Sequence, residues 1–169
     1  MRLRPILSLL FAVSLIPLAG AAPPPATGNP APLGVFASWT AATYQQGGQK
    51  ICYAFTRPTG STPEIAGRGQ VLLSVTERPG VRDEAALTAG FPYAKGANAT
   101  VTVGSTVLAF YTAGDAAFAR DGAAAVHAFK IGITAIARSP APGNKLVTDD
   151  FSLSGFTAAY DAIVKACPG

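Results

Sequence analysis

The residues that could carry out chemistry are few: the chain has one histidine, His127, and two cysteines. A Ser-His-Asp or Cys-His arrangement would need His127 as its base, yet no G-x-S-x-G segment accompanies it. His127 lies in an alanine-rich segment with helical spacing, so a surface histidine is favoured over a catalytic base. Ser-Lys chemistry stays open, because any Ser and Lys could meet in space, but no motif supports it. We therefore predict no catalytic residues and a protein that is not an enzyme.

Metal-binding and phosphate-binding motifs do not occur in the sequence either. A zinc site needs three or four Cys, His, Asp or Glu ligands at close spacing, and His127 has no such neighbours. Asp83-Glu84 and Asp149-Asp150 are adjacent carboxylates, which point to opposite faces of a strand, and neither matches an EF-hand loop. No P-loop and no G-x-G-x-x-G stands between a predicted strand and helix. No metal and no cofactor are predicted, with a weak surface calcium site as the alternative.

The most charged stretch of the chain covers residues 78–84, RPGVRDE. Its two arginines, Arg78 and Arg82, could hold an anionic ligand, and they are the candidate ligand-binding residues. The favoured alternative is a solvated turn in which Arg82 pairs with a nearby carboxylate. Trp39 and Tyr44 could line a binding face, but a lone Trp on an alternating strand is more often part of a core.

The N-terminal residues indicate export. Arg2 and Arg4 precede an apolar stretch at residues 6–18, and Ala19-Gly20-Ala21 has the small-residue spacing that signal peptidase recognises. The stretch is shorter than the roughly 20 residues of a membrane-spanning helix, and position 21 is not the cysteine that a lipid anchor requires. We predict a cleaved signal peptide at residues 1–21 and a periplasmic or secreted protein without a membrane anchor.

Export also bears on charge and on the cysteines. Without Arg2 and Arg4, the 13 Lys and Arg residues fall to 11, against 9 Asp and Glu. No Lys/Arg cluster or basic-aromatic stripe is present, so a nucleic-acid partner is not expected. Two cysteines in one domain usually pair in an oxidising compartment. We therefore predict a disulfide between Cys52 and Cys167, the alternative being two buried free thiols.

Composition and periodicity predict one domain after a short leader. Residues 22–33 are rich in proline and are predicted to be a disordered leader that forms neither helix nor paired strand; the domain covers residues 34–169. Strands are predicted at 35–44, 49–56, 69–77, 85–91, 99–103, 106–111, 131–138 and 145–153. A loop is predicted at 59–63 and turns at 45–48, 78–80, 104–105 and 139–144.

Two helices complete the predicted pattern. One covers residues 121–130 with Asp121 as its cap, and the other covers residues 155–166 with Ser154 as a plausible cap. The second helix ends next to Cys167, so a disulfide to Cys52 in the second strand would pin this helix onto the sheet. Short strands separated by Gly/Pro turns favour a β-sandwich or open barrel, to which the helices are additions.

Five segments carry a family resemblance. They are GVFASW at 34–39, GGQKICY at 47–53, RPGVR at 78–82, FSLSGFTAA at 151–159 and KAC at 165–167. Together they resemble the invasion-associated locus B family. The resemblance implies export from a proteobacterial cell, an immunoglobulin-like β-sandwich and, because the closing KAC recurs, an architectural role for the disulfide. It brings no catalytic residues.

The leading functional interpretation is a non-enzymatic domain that acts by surface binding to a partner, with a host-interaction role in pathogens. One alternative is a periplasmic small-ligand-binding or envelope-maintenance protein that holds a small anion in a cleft or at Arg78 and Arg82. Another is a hydrolase with a non-standard site. A deep pocket with convergent polar groups would favour the alternatives, and an exposed apolar patch would favour the first. The sequence identifies neither the partner nor the oligomeric state.

Overall fold

The computed structural model describes residues 26–169. The predicted signal peptide and residues 22–25 of the predicted leader lie outside this range. Within it the chain forms eleven strands and two helices. They are β1 (Ala26–Phe36), β2 (Trp39–Gln46), β3 (Gln49–Thr56), β4 (Gly60–Thr62), β5 (Leu72–Arg78), β6 (Val81–Thr88), β7 (Asn98–Val103), β8 (Thr106–Ala113), β9 (Ala116–Ala119), α1 (Gly122–Ile131), β10 (Thr134–Ala141), β11 (Lys145–Ser152) and α2 (Phe156–Ala166).

All strand pairs are antiparallel and form one continuous sheet in the order β1-β2-β3-β5-β6-β9-β8-β7-β10-β11-β4. Alternate side chains from both halves of this order join a single buried core. The sheet therefore folds over onto itself, which confirms a mainly-β fold and is consistent with a sandwich. Its two layers stay connected through the short β9, which pairs with both β6 and β8.

Aromatic side chains from the sheet and from both helices meet in the core. Trp39 is fully buried, donates from its indole N–H to the carbonyl of Ser152 at 3.0 Å, and has its ring 4.8 Å from that of Phe156 on α2. Phe129 of α1 packs edge-to-face on Phe156 with ring centroids 5.4 Å apart. Because buried aromatic pairs contribute more than their buried area alone, this cluster fixes both helices against the sheet.

Several local predictions are confirmed. The β2–β3 hairpin turns at Gly47-Gly48, whose φ values of 58° and 79° suit glycine. The β7–β8 hairpin turns at Gly104-Ser105. The carboxylate of Asp121 accepts from the backbone N–H of Ala124 at 2.9 Å and so caps α1.

The predicted leader is wrong over its described part. Residues 26–33 belong to β1, which pairs with β2 at the edge of the sheet. An edge strand tolerates Pro30 and Pro32 because one row of its backbone groups needs no partner, and two register shifts accompany these prolines. The predicted strand at 35–44 is in turn two strands, because Ala37 takes a φ of 48° in a tight turn between Phe36 and Trp39.

Other boundaries differ for local reasons. Residues 60–62 of the predicted loop form β4 by pairing with β11. The strand predicted at 85–91 starts earlier, at Val81, directly after the Pro79-Gly80 turn. The strand predicted at 131–138 is β10. It starts later, at Thr134, because α1 includes Ile131, and it continues to Ala141.

The helix α2 is not capped by Ser154 as predicted. Its cap residue is Gly155, with a φ of 88° and no side-chain hydrogen bond. A Cβ on Gly155 would overlap the carbonyl oxygen of Phe36. Glycine is therefore needed here both for its backbone conformation and for the close approach of β1.

The predicted disulfide is present and joins Cys52 on β3 to Cys167 at the end of α2, with Cα atoms 6.0 Å apart across a sequence separation of 115. Lys50 also donates to the carbonyl of Ala166 at 3.0 Å. Both contacts hold the C-terminal helix on the sheet, as the sequence predicted. No helix within residues 26–169 has the length and apolar character needed to cross a membrane.

Candidate functional site

The outer face of the sheet carries an open depression of about 410 Å³ on β2, β3 and β5. We call it the aromatic depression. It is lined by three aromatic rings, one aliphatic side chain and four polar ones: Tyr44, Tyr53, Phe55, Leu72, Arg57, Gln70, Ser74 and Thr76. All three rings are only half-buried. Half-exposed aromatic side chains beside polar groups are typical of surfaces that bind ligands or proteins.

Strand alternation on β3 places two of these rings on the outer face. Cys52 and Ala54 are fully buried on the inner face, so the intervening Tyr53 and Phe55 point outward. The rings of Tyr53 and Phe55 are nearly parallel, with centroids 5.9 Å apart, and Tyr44 of β2 packs edge-to-face on Tyr53 at 5.6 Å. Partial burial, and to a lesser extent the neighbouring Tyr44, raise the pKa of the Tyr53 hydroxyl above its ordinary value.

Arg57 follows β3 directly and is exposed at the edge of the aromatic depression. Gln70 orients it: with the amide placed by its hydrogen bonds, the Gln70 oxygen accepts from both terminal nitrogens of Arg57 at 2.8 and 3.1 Å. None of the ion pairs among residues 26–169 includes Arg57. The guanidinium therefore faces the depression without a carboxylate partner from the described chain.

The two arginines chosen from the sequence lie elsewhere, at the β5–β6 hairpin, and both have carboxylate partners. Arg78 pairs with Glu84 at 2.5 Å. Arg82 lies 2.6 Å from Glu77 and donates to the carbonyl of Cys167 at 2.7 Å. The pairing of Arg82 matches the alternative interpretation of this segment. The segment is a hairpin with a bulge rather than a simple turn, because Arg82 and Asp83 together stand opposite Glu77.

The bulge turns a set of polar side chains toward α2. Asp83 has a φ of 55°, its backbone N–H donates to Glu77 at 3.1 Å, and its carboxylate accepts from the Tyr160 hydroxyl at 2.5 Å. Glu77 is fully buried. Burial raises the pKa of Glu77 to about 7, helped by the Asp83 carboxylate and opposed by the Asp83 N–H and the Arg82 guanidinium. Burial, followed by the bond to Asp83, also raises the pKa of Tyr160.

The raised pKa of Glu77 predicts a pH-dependent stability. The folded state keeps the Glu77 proton up to about pH 7, whereas the unfolded chain releases it near the ordinary value of 4.5. The stability from this group is therefore complete below about 4.5 and is lost as the pH rises through 7. Wild type should therefore lose stability between pH 5 and pH 8, whereas Glu77→Gln has no carboxyl to titrate at this position. We expect the difference in unfolding free energy between Glu77→Gln and wild type to shift in favour of the variant by roughly 1 to 3 kcal/mol from pH 5 to pH 8.

Urea denaturation at both pH values measures this difference. Glu64→Gln is the matched control, since Glu64 is exposed, and its stability should run parallel to that of wild type. Parallel curves for Glu77→Gln and wild type would contradict the assignment.

A buried charge pair joins the segment before β5 to β11 in the other half of the sheet. Asp149 is fully buried and accepts two parallel hydrogen bonds of 2.7 Å from Arg68 and one of 2.6 Å from Ser61. Arg68 also donates to the carbonyl of Ala89 at 2.7 Å and lies over the ring of Phe91. Asp149 and its neighbour Asp150 point to opposite faces, as predicted. This pair has no access to solvent on the carboxylate side, so its role is structural.

The other residues singled out from the sequence lie in different parts of the fold. His127 is exposed on α1. Trp39 belongs to the core whereas Tyr44 lines the outer face. No group of three or more His, Cys, Asp or Glu side chains within residues 26–169 is close enough together to hold a metal ion. Sequence reasoning missed the aromatic depression, although the alternation of Ile51, Tyr53 and Phe55 against Cys52 was visible.

The fold and the site define a disulfide-linked, mainly-β domain with an open aromatic surface on the outer face of its sheet. The chain belongs to the invasion associated locus B (IalB) protein family, whose model matches residues 39–164. The crystal structure of invasion associated protein B from Bartonella henselae has a similar fold, with a TM-score of 0.54 and 18% sequence identity over 79% of this chain and 95% of that one. No curated protein matches the chain.

Proposed function

We propose that the chain is exported, is periplasmic or secreted, and binds a partner at the aromatic depression without catalysing a reaction. The observation that supports this most is the combination of three half-exposed rings with an arginine that has no carboxylate partner in residues 26–169. Aromatic side chains and arginine are the residues that most often dominate binding energy. The disulfide fits an oxidising compartment. The family name, invasion associated locus B, supports a role in host interaction.

A binding experiment on cells tests this function. Labelled chain covering residues 22–169 is added to cultured mammalian cells and to isolated bacterial envelopes, as wild type, Tyr53→Ser and Tyr111→Ser. Tyr111 is a matched control because it is 44% exposed on β8, outside the depression. We expect saturable binding to cells that Tyr53→Ser weakens at least tenfold, about 1.4 kcal/mol, and that Tyr111→Ser retains. Circular dichroism checks that each variant is folded.

Two results would contradict the proposal. One is wild-type binding that Tyr53→Ser leaves unchanged, and the other is the absence of saturable binding to either surface.

Binding to envelopes instead of cells, with the same loss in Tyr53→Ser, would support a second function in the envelope. The size of the depression favours this candidate, since about 410 Å³ falls within the range of small-molecule sites. In this role the domain would bind a small ligand in the periplasm.

A further inference from the structure

The aromatic depression carries a net positive charge. The eight side chains that line it include the Arg57 guanidinium and no carboxylate. Next to the depression, on the same outer face, lies the carboxylate of Glu84, which stands opposite Thr76 in the β5–β6 pair. Glu84 is compensated by its ion pair with Arg78. An anionic ligand would therefore meet one cation and no opposing charge among the lining residues.

Arg57 is prepared to bind a planar anion. Gln70 accepts one N–H from each terminal nitrogen of the guanidinium, and a guanidinium has five N–H donors in all. The donors left over can form the paired, parallel hydrogen bonds with which arginine recognises a carboxylate. The bond to Gln70 holds the group in place before the ligand arrives, which lowers the entropy lost on binding.

The rest of the depression suits a saccharide ring. The π-faces of aromatic rings carry partial negative charge and so attract the C–H face of a pyranose. Tyr53 and Phe55 present two nearly parallel rings, while the hydroxyls of Ser74 and Thr76 lie on the neighbouring strand directly opposite them. These hydroxyls can donate to and accept from sugar hydroxyls.

The position of the depression argues against an extended peptide. A peptide adds to a sheet through the backbone of an edge strand. The depression lies instead on β2, β3 and β5, each of which has partners on both sides. A ligand here is recognised by ring faces, hydroxyls and one guanidinium, with no backbone pairing.

Building on the proposed function, we propose that the aromatic depression binds a saccharide that carries a carboxylate. Arg57 pairs with the carboxylate, and the rings of Tyr53 and Phe55 pack on the sugar. The ligand class is thus an acidic glycan containing a uronic or nonulosonic acid.

Isothermal titration with defined sugars tests this assignment. The probes are tri-galacturonate and sialyl-lactose, each with its methyl ester, and glucose 6-phosphate. They are titrated into the chain covering residues 22–169, as wild type, Arg57→Gln and Arg120→Gln. Arg120 is a matched control because it is exposed and lies 5.8 Å from the ring of Tyr111. Both arginines are at the surface, so neither replacement should unfold the chain.

We expect at least one of the two acids to bind with a Kd below about 1 mM. Its methyl ester and the Arg57→Gln variant should each weaken binding at least tenfold, whereas Arg120→Gln should leave it unchanged. The assignment is overturned if neither acid binds, if the ester binds as tightly as the acid, or if Arg57→Gln has no effect. If glucose 6-phosphate binds more tightly than either acid, the assignment of a carboxylate is overturned, because Arg57 then recognises a phosphate. If no acid binds while Tyr53→Ser still weakens cell binding at least tenfold, the proposed function stands and this inference fails.

Discussion

Replacing Asp149 with asparagine is expected to lower the free energy of unfolding by about 3 to 5 kcal/mol. The Asp149 side chain is fully buried and that of Arg68 is 8% exposed, so the variant leaves a nearly buried guanidinium without its counter-charge. The loss is large because an uncompensated charge is far more costly inside a protein than at its surface. Urea denaturation followed by the fluorescence of Trp39, the single buried tryptophan, measures it.

Two further variants make this prediction specific. Glu84→Gln breaks the half-exposed pair with Arg78 and should cost less than about 1 kcal/mol. The double replacement Arg68→Met with Asp149→Leu should recover most of the stability that Asp149→Asn loses, because apolar side chains of similar volume often substitute for a buried pair without loss. Equal losses in Asp149→Asn and Glu84→Gln would show that burial of the Arg68 pair does not govern its effect.

Removing the disulfide is expected to have the second large effect. The variant Cys52→Ala with Cys167→Ala should lose about 2 to 5 kcal/mol of unfolding free energy. The bond closes a span of 115 residues, and a loop of that length is the case in which chain entropy predicts a large stabilisation. The variant should still fold, because Phe156 and Ile163 keep α2 in the core.

Hydrogen exchange along the chain distinguishes loss of the attachment of α2 from a general weakening of the core. Hydrogen exchange should accelerate in the last turn of α2, next to Cys167, more than in β7 or β10. Accelerations spread evenly over the sheet, or an unchanged free energy of unfolding, would refute the tether.

The parts of the fold that local chemistry determines could be predicted from the sequence. Glycine pairs or Gly-Ser mark turns because few other residues adopt a positive φ, and these correctly located the β2–β3 and β7–β8 hairpins. Asp121 marked the start of α1 through its capping carboxylate. The two cysteines predicted the attachment of α2, because an exported domain with a single pair has one intramolecular bond to form.

The predictions that failed concern strand pairing, backbone conformation and contacts between residues far apart in the sequence. The proline-rich residues 26–32 form a strand only because β2 offers its edge. Ala37 adopts a positive φ that its residue type does not indicate, and so the first turn was missed. Aspartate adopts a positive φ more often than most residues, but the residue type alone does not show that Asp83 does so, and the β6 bulge was missed as well. Arg68 meets Asp149 across 81 residues of sequence, a separation that periodicity cannot detect.

The candidate site, too, could be predicted from the sequence only in part. In the predicted strand at 49–56, alternation puts Tyr53 and Phe55 on one face and Cys52 on the other. It did not determine which face is the core, although a bond from Cys52 to the terminal helix would place that cysteine inward and the rings outward. The contact between Arg57 and Gln70 depends on how β3 and the segment before β5 come together, so local pattern alone could not identify it.

The order of the cysteines along the chain has a consequence for biogenesis. If the chain is exported as proposed and leaves the cytoplasm N-terminus first, Cys52 emerges 115 residues before its partner Cys167. Oxidation within the chain therefore cannot occur until these 115 residues have also been translocated. With a single pair no mispairing inside the chain is possible, so maturation calls for a thiol oxidase but not for an isomerase. During export the exposed Cys52 thiol can react only with another molecule, which makes a mixed or intermolecular disulfide the characteristic product of an interrupted export.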